Sequence, residues 1–328
     1  TNQNLNINPS ASPKLDNAVG IFIEADYIFY KTSTGNSVLD DIPNRFEFTQ
    51  GGVITTSGSA STPTRLQYNW ASGFKVGLGC NFEYGSWILD AEYTWLRPSA
   101  HLTLKSVGTD FDFIKGAPLT TAFKDHLDAK EDLKFNNITL KLSSNYYINK
   151  HLTFYPYAGL LGTWQELESS RYSPDVNIGD LSKPFATNFR DTLKSTDKIW
   201  GIGPLFGTEL GLIFGKGFSL FAKLSGASAF QSQNIKAEVI LKDGIISAAK
   251  TNVYEVSKET VYGFSPWLSC ALGLKYSTYF SNNQYHLSIQ AGWESQWWGN
   301  WLTKIDESLN STANLNLGGL DVKIRFDF

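Results

Sequence analysis

The sequence predicts one all-β domain: a transmembrane antiparallel β-barrel of ten strands, or of twelve, with short periplasmic turns and long outer loops. Three observations predict it. Segments of alternating polar and apolar residues recur along the chain; the connections between them are in turn very short and very long; and the chain closes on Leu320 to Phe328 (LDVKIRFDF), an alternating run whose last residue is aromatic. In a strand successive side chains point to opposite faces. Leu320, Val322, Ile324, Phe326 and Phe328 therefore share one face, suited to lipid, while Asp321, Lys323, Arg325 and Asp327 share the other.

Composition agrees. No stretch approaches the ~18 to 20 uninterrupted apolar residues of a membrane helix. Aromatic residues make up 14% of the chain, with 10 Trp and 28 Gly spread along it. A membrane barrel needs aromatic girdles at both interfaces and small residues where its wall curves. The net charge of -3 argues against a nucleic-acid partner, because phosphate binding needs a basic excess. No Met occurs anywhere, including position 1, so either signal-peptide cleavage or trimming removed the start. Export to the bacterial outer membrane is the corresponding expectation.

Residues 1–17, polar and rich in Thr, Asn, Gln, Ser and Pro, read as a flexible periplasmic segment before a barrel over 18–328. Strands are expected at Ala18 to Tyr30, Ala71 to Glu83, Trp87 to Arg97, Phe135 to Tyr147, His151 to Glu166, Lys198 to Phe214, Phe218 to Ile235, Thr260 to Phe280, Gln284 to Gly299 and Ala313 to Phe328. Tight turns fall at Tyr84 to Ser86, Ile148 to Lys150, Gly215 to Gly217 and Ser281 to Asn283, where Gly and Asn accept positive φ. Outer loops are expected near 31–70, 98–134, 171–197, 236–259 and 300–312. Within them, Arg45 to Thr49 with Val53 to Thr55, and His101 to Lys105 with Asp110 to Phe113, form hairpins above the membrane or raise the strand count to twelve.

With the bulkier apolar set outward, Phe74, Val76, Leu78, Cys80 and Phe82 face lipid on the second strand, and Trp87, Leu89, Ala91, Tyr93 and Trp95 on the third. Ile138, Leu140 and Leu142, then Leu268, Cys270, Leu272 and Leu274, repeat the pattern. The inward faces are polar and line something wet. The fifth strand is irregular, since Pro156 cannot donate to a ladder. On the sixth, inward Gly201, Gly203, Gly207 and Gly211 either widen the lumen or serve curvature.

Inward charges recur near one height: Glu24, Glu92, Lys141, Glu209, Lys223, Lys275 and Lys323, with Asp26, Asp90 and Arg325 close by and Lys75 and Glu294 on the same face. When the barrel closes, Glu24 and Asp26 meet Lys323 and Arg325. These groups either form a salt-bridge network that stiffens the wall or a charged constriction that selects solutes. Ten strands leave a narrow passage at most.

Other chemistry is thin. Cys80 and Cys270 fall on lipid-facing positions of distant strands, so they read as free thiols without metal-ligand spacing. His101 and His126 share an outer loop with Asp110, Asp112, Asp125 and Asp128, a composition also found at the rim of omptin-type surface proteases. No G-x-S-x-G, P-loop or H-E-x-x-H motif accompanies it, so neither enzyme chemistry nor a cofactor is expected. His151 and His286 sit beside inner turns.

Four blocks carry a resemblance: Trp70 to Cys80 (WASGFKVGLGC), Trp200 to Gly207 (WGIGPLFG), Gly217 to Phe221 (GFSLF) and Leu317 to Phe328 (LGGLDVKIRFDF). They resemble the Legionella-type major outer membrane protein family, relatives of which occur in chlamydia-like bacteria. The resemblance implies a porin-like, pore-forming barrel that passes small hydrophilic solutes, with a role in surface adhesion to a host. It implies that Phe328 is read by the barrel-assembly machinery, and that lipid and lipopolysaccharide surround the wall. The rival reading is a closed barrel that displays adhesive or antigenic loops. Relatives often carry a basic residue where Leu205 stands, and the chain lacks the many cysteines of the chlamydial major porins, so a cross-linked coat is not expected.

Overall fold

Ten long strands form the wall: β1 (Gly20–Gly35), β2 (Trp70–Asn81), β3 (Trp87–Leu96), β4 (His126–Ser144), β5 (Leu152–Ile178), β6 (Thr187–Gly215), β7 (Phe218–Asp243), β8 (Thr251–Phe280), β9 (Tyr285–Lys304) and β10 (Ser311–Asp327). Each is antiparallel to the next, and β1 pairs with β10, so the sheet closes on itself. The structure is a computed structural model that describes residues 11, 13, 20–35, 47–50, 53–56, 66–82, 87–105, 122–124, 126–178, 187–243, 251–304 and 311–328. Glu24 stands opposite Arg325 and Asp26 opposite Lys323 across the closing seam, as the alternation of the last strand requires.

The alternation also sets which face meets lipid. Phe74, Val76 and Leu78 on β2, Ile138, Leu140 and Leu142 on β4, and Leu268, Leu272 and Leu274 on β8 are all exposed on the outer surface. Closure leaves no edge in the hydrocarbon, where an unpaired backbone group would cost several kcal/mol. Cys80 and Cys270 are free, on the outward faces of β2 and β8. At the short turns, Lys216, Ser281, Asn282 and Asn283 all take positive φ, as do Gly215 and Gly217. Asn149 makes its turn differently: its Oδ1 accepts from the backbone nitrogens of His151 (2.8 Å) and Leu152 (2.9 Å). The expected turn at 84–86 lies outside the described residues.

The wall has ten strands, as expected, and Glu47–Gln50 and Val53–Thr56 form a separate two-stranded hairpin. Four features differ from the sequence reading or go beyond it. Ser99–Lys105 pairs with the outer part of β4 and so extends the wall, while 110–113 lies outside the described residues. The stretches read as loops near 171–197 and 236–259 are largely strand, because β5, β6, β7 and β8 run for 27, 29, 26 and 30 residues. A bilayer needs only ~9 to 11. Above the lipid both faces meet water, so the apolar alternation fades while backbone pairing continues. Of the segment 1–17 the structure describes Ala11 and Pro13; Ala11 donates its backbone N–H to Asn145 O at 3.2 Å, so the segment touches the wall there. Asn145 marks a break between β4 and the short strand Tyr146–Asn149, opposite the point where Pro156 interrupts the β4–β5 ladder.

The fourth feature concerns the inward glycines, for which two roles were open. They do not widen the lumen, because neighbours occupy the space they release. A Cβ at Gly207 would lie 2.4 Å from the Tyr157 ring, and one at Gly203 would lie 2.0 Å from the Ser228 carbonyl oxygen. The first is an aromatic ring covering a glycine; the second lets two strands approach closely. Gly203→Ala is accordingly expected to lower barrel stability by about 1–3 kcal/mol, the usual scale of overpacking. Urea unfolding would show it, and an unchanged midpoint would contradict the close-approach reading.

At the outer end the wall parts. β8 and β9 pair only from Trp267 opposite Trp298 downward. Above that point β8 continues paired with β7, while β9 shifts register against β10 between Trp298 and Leu302. Asn300 takes a φ of 48° in this bend. Side chains of β7 hold the displaced backbone: Gln231 Nε2 donates to Trp301 O (2.7 Å), Gln233 Nε2 to Thr303 O (3.0 Å), and Thr303 N donates to Gln233 Oε1 (2.8 Å). β9 is thereby drawn across the lumen.

Candidate functional site

The twelve charged residues expected inside the barrel all line its interior. Asp26, Lys75, Glu92 and Glu294 line a central cavity of about 80 Å³, and Glu24, Asp90, Glu209, Lys275 and Arg325 line a larger one of about 330 Å³ toward the short turns. Lys141, Lys223 and Lys323 line both. The larger cavity is called the vestibule below. Since outer-membrane barrels carry their short turns inside, it faces the periplasm.

The charges form three groups and one outlier. At the seam, Lys323 Nζ lies 2.9 Å from Glu24, 3.4 Å from Asp26 and 3.0 Å from Glu92. Lys141 extends this group through Asp90 at 3.0 Å and Glu92 at 3.9 Å, and Arg325 closes it through Glu24 at 3.4 Å. A second group is centred on Lys75, which is buried and bridges Glu294 and Asp321, the latter at 2.7 Å. Glu294 also accepts from Tyr30 (2.7 Å), Ser269 (3.0 Å) and Gln296 (2.9 Å). The third group is the pair Lys223–Glu209 at 3.4 Å. Lys275, half-buried on β8, has no hydrogen bond or ion pair among the described residues.

Each group follows from strand order. β10 is the neighbour of β1, so its basic residues meet the acidic ones of β1 directly, whereas Glu92 and Glu294 reach in from β3 and β9 across the narrow lumen. Removing charges from water is costly unless partners and hydrogen bonds replace it. The convergence of several carboxylates on each buried ammonium is that replacement.

Some members were not singled out in the sequence. Asp321 was recognised as inward but not as a partner of Lys75, because the lumen-crossing contact from β2 to β10 depends on barrel diameter. At the periplasmic end, buried His286 and Asp327 form a hydrogen bond of 2.7 Å, and Arg325 also binds Asp327 at 2.6 Å. His286 therefore anchors the final strand. His101 is exposed and stands opposite Lys130 in the β-ladder, while Asp128 accepts from Thr103 at 2.7 Å. Asp110, Asp112 and Asp125 lie outside the described residues, as does the side chain of His126.

Toward the outside the polar inward face is joined by a large apolar cluster: Phe135, Leu161, Leu167, Ile199, Leu205, Trp267, Trp298 and Trp301 belong to one buried cluster that also includes Leu66 and Tyr68, beside buried Gln165, Asp197, Gln231 and Gln233. Phe135 and Trp267 pack on Trp298 with ring centroids 5.6 and 5.8 Å apart. Trp301, brought inward by the bend in β9, donates to Gln165 Oε1 at 2.5 Å. The consecutive residues Trp297 and Trp298 carry a signal for this, since on a strand one of two neighbours must point inward. Trp297 is exposed to the outside and Trp298 is buried.

The termini of the wall also meet. Ile21 and Phe328 exchange both backbone hydrogen bonds, at 3.2 and 2.9 Å, and Phe328 stacks on Phe326.

The profile of the family described as the Legionella pneumophila major outer membrane protein precursor matches residues 13–328. No curated protein is significantly similar to the chain. Among solved structures, a Pseudomonas aeruginosa FadL homologue is 10% identical with a TM-score of 0.30, covering 95% of this chain and 90% of that one. A TodX deletion mutant, a monoaromatic hydrocarbon channel, is 8% identical with a TM-score of 0.29, covering 94% and 90%. Scores this low carry no argument, and the assignment rests on the family profile. This ten-stranded barrel, with lipid-facing apolar residues around a charged interior, is an outer-membrane protein that belongs to the Legionella pneumophila major outer membrane protein family.

Proposed function

We propose that the protein is a narrow outer-membrane channel for small hydrophilic solutes or ions, with a charged periplasmic vestibule and an aromatic constriction toward the outside. One observation carries the reading: the vestibule and the central cavity share walls made by Lys141, Tyr157, Phe221, Lys223, Gln290 and Lys323. Polar space thus extends from the periplasmic mouth to mid-barrel. A barrel serving only as a support gains nothing from charges in its interior, since well-packed apolar residues are often as stabilising as buried ion pairs. Charged rings are the usual means by which pores select among ions.

Purified, refolded protein in planar lipid bilayers is expected to give discrete single-channel currents of small amplitude. Lys223→Gln and Glu209→Gln are expected to shift ion selectivity in opposite directions, because each leaves the other charge of the pair uncompensated. Protein that inserts yet stays electrically silent would overturn the reading.

A second reading is favoured by the apolar cluster around Trp298 and Trp301 and by the long paired extensions of β5 to β8. In that reading the barrel is closed and its outer surface binds a host. Deleting outer segments would then abolish binding to host cells without altering conductance.

A further inference from the structure

Five cationic side chains line the vestibule, from Lys141, Lys223, Lys275, Lys323 and Arg325, with the carboxylates of Glu24, Asp90 and Glu209. Four of the five cations are already engaged. Lys141 lies 3.0 Å from Asp90, Lys223 lies 3.4 Å from Glu209, Lys323 lies 2.9 Å from Glu24, and Arg325 lies 2.6 Å from Asp327. Asp26 and Glu92 reach the same network from beyond the lining. Lys275 is the vestibule cation with no ion pair among the described residues.

Two hydroxyl-bearing residues adjoin Lys275. On β7 its cross-strand neighbour is Ser219. Ser277, two residues further along β8, shares its face, and both serines line the vestibule. A hydroxyl can donate to an anion, and an ammonium with three protons and no carboxylate partner is a strong donor to one. Low-dielectric walls strengthen the attraction and raise the local concentration of the opposite charge.

We propose that the periplasmic vestibule holds a binding site for small inorganic anions, with the Lys275 ammonium at its centre and Ser219 and Ser277 as further hydrogen-bond donors. An anion there pairs the one vestibule cation that has no ion pair among the described residues. Insofar as it predicts selectivity, the proposal rests on the channel reading, in which the Lys275 site favours anion passage; binding itself requires no conduction.

Two measurements on the full chain separate these parts. In micelles, inorganic phosphate is expected to bind saturably to the wild type by phosphorus NMR titration. Lys275→Gln should weaken binding about tenfold or more, on the scale of a lost charge-assisted hydrogen bond, while Lys275→Arg retains it. In bilayers under a potassium chloride gradient, Lys275→Gln should shift the reversal potential toward cation preference relative to the wild type, and Lys275→Glu should shift it further. Equal phosphate affinity in the wild type and Lys275→Gln, or no binding in either, would sink the site. Binding without current would preserve the site and overturn the channel, and current with an unshifted reversal potential would separate the site from the conduction path.

Discussion

Lys323→Met is expected to destabilise the barrel by about 3–5 kcal/mol, the cost of removing one partner from a buried charge group. The Lys323 ammonium is the only described cation that reaches Asp26, and it also reaches Glu24 and Glu92. Asp26 and Lys323 are both buried. Methionine preserves most of the stem and removes the charge, so three carboxylates face one another with less compensation. The control is Lys323→Met with Asp26→Asn, which removes one of the stranded charges and should recover part of the loss. The measurement is the urea midpoint of the folded band in a heat-modifiability gel. Equal midpoints for the wild type and Lys323→Met would show that the seam is held by its backbone ladder alone.

Trp301→Ala is expected to raise single-channel conductance several-fold while costing about 3–5 kcal/mol of stability. Trp301 is 1% exposed and lies in the part of β9 that bends across the lumen. Its indole is fixed by Gln165, and the backbone around it by Gln231 and Gln233. Removing the ring leaves a void beside a polar passage, and water can enter such a void when polar groups border it. Trp301→Phe keeps most of the volume and should leave conductance near the wild-type level. A Trp301→Ala protein that folds and conducts no better than the wild type would favour the closed-scaffold reading.

The family and the wall are separate conclusions: the family rests on the profile match, the wall on alternation. A period of two places every second residue against lipid, and that is a local property of the chain. Leu320 to Phe328 illustrate it: the last strand was legible because each step changes both chemistry and direction. The contacts of Glu24 and Asp26 with Lys323 and Arg325 were legible for a further reason. Closing the barrel must bring the last strand beside the first, whatever the loops do, and an even count makes the pair antiparallel.

Other parts of the site were legible only as types of residue. Lys75 and Glu294 were recognised as inward charges, but not as partners, since β2 and β9 are not neighbours in the wall. Their contact depends on how narrow the lumen is. The outer extensions of β5 to β8 were hidden for the opposite reason: in water both faces of a ribbon are polar, so no apolar stripe reports the strand. The inward glycines show a third limit. Gly207 gave no indication that Tyr157 would cover it, because the two meet only through the β5–β6 register.

Sequence by itself therefore determined that this chain is an outer-membrane barrel, which strands face lipid, and that the closing seam joins acidic to basic residues, because periodicity and strand count are carried by the chain. Only the tertiary structure decided that Trp267, Trp298 and Trp301 pack together in the outer half of the lumen, and that Lys275 alone among the vestibule cations has no ion pair among the described residues. Those facts depend on distances across the barrel. They are set by the bend of β9 and the width of the lumen, and no local pattern encodes either.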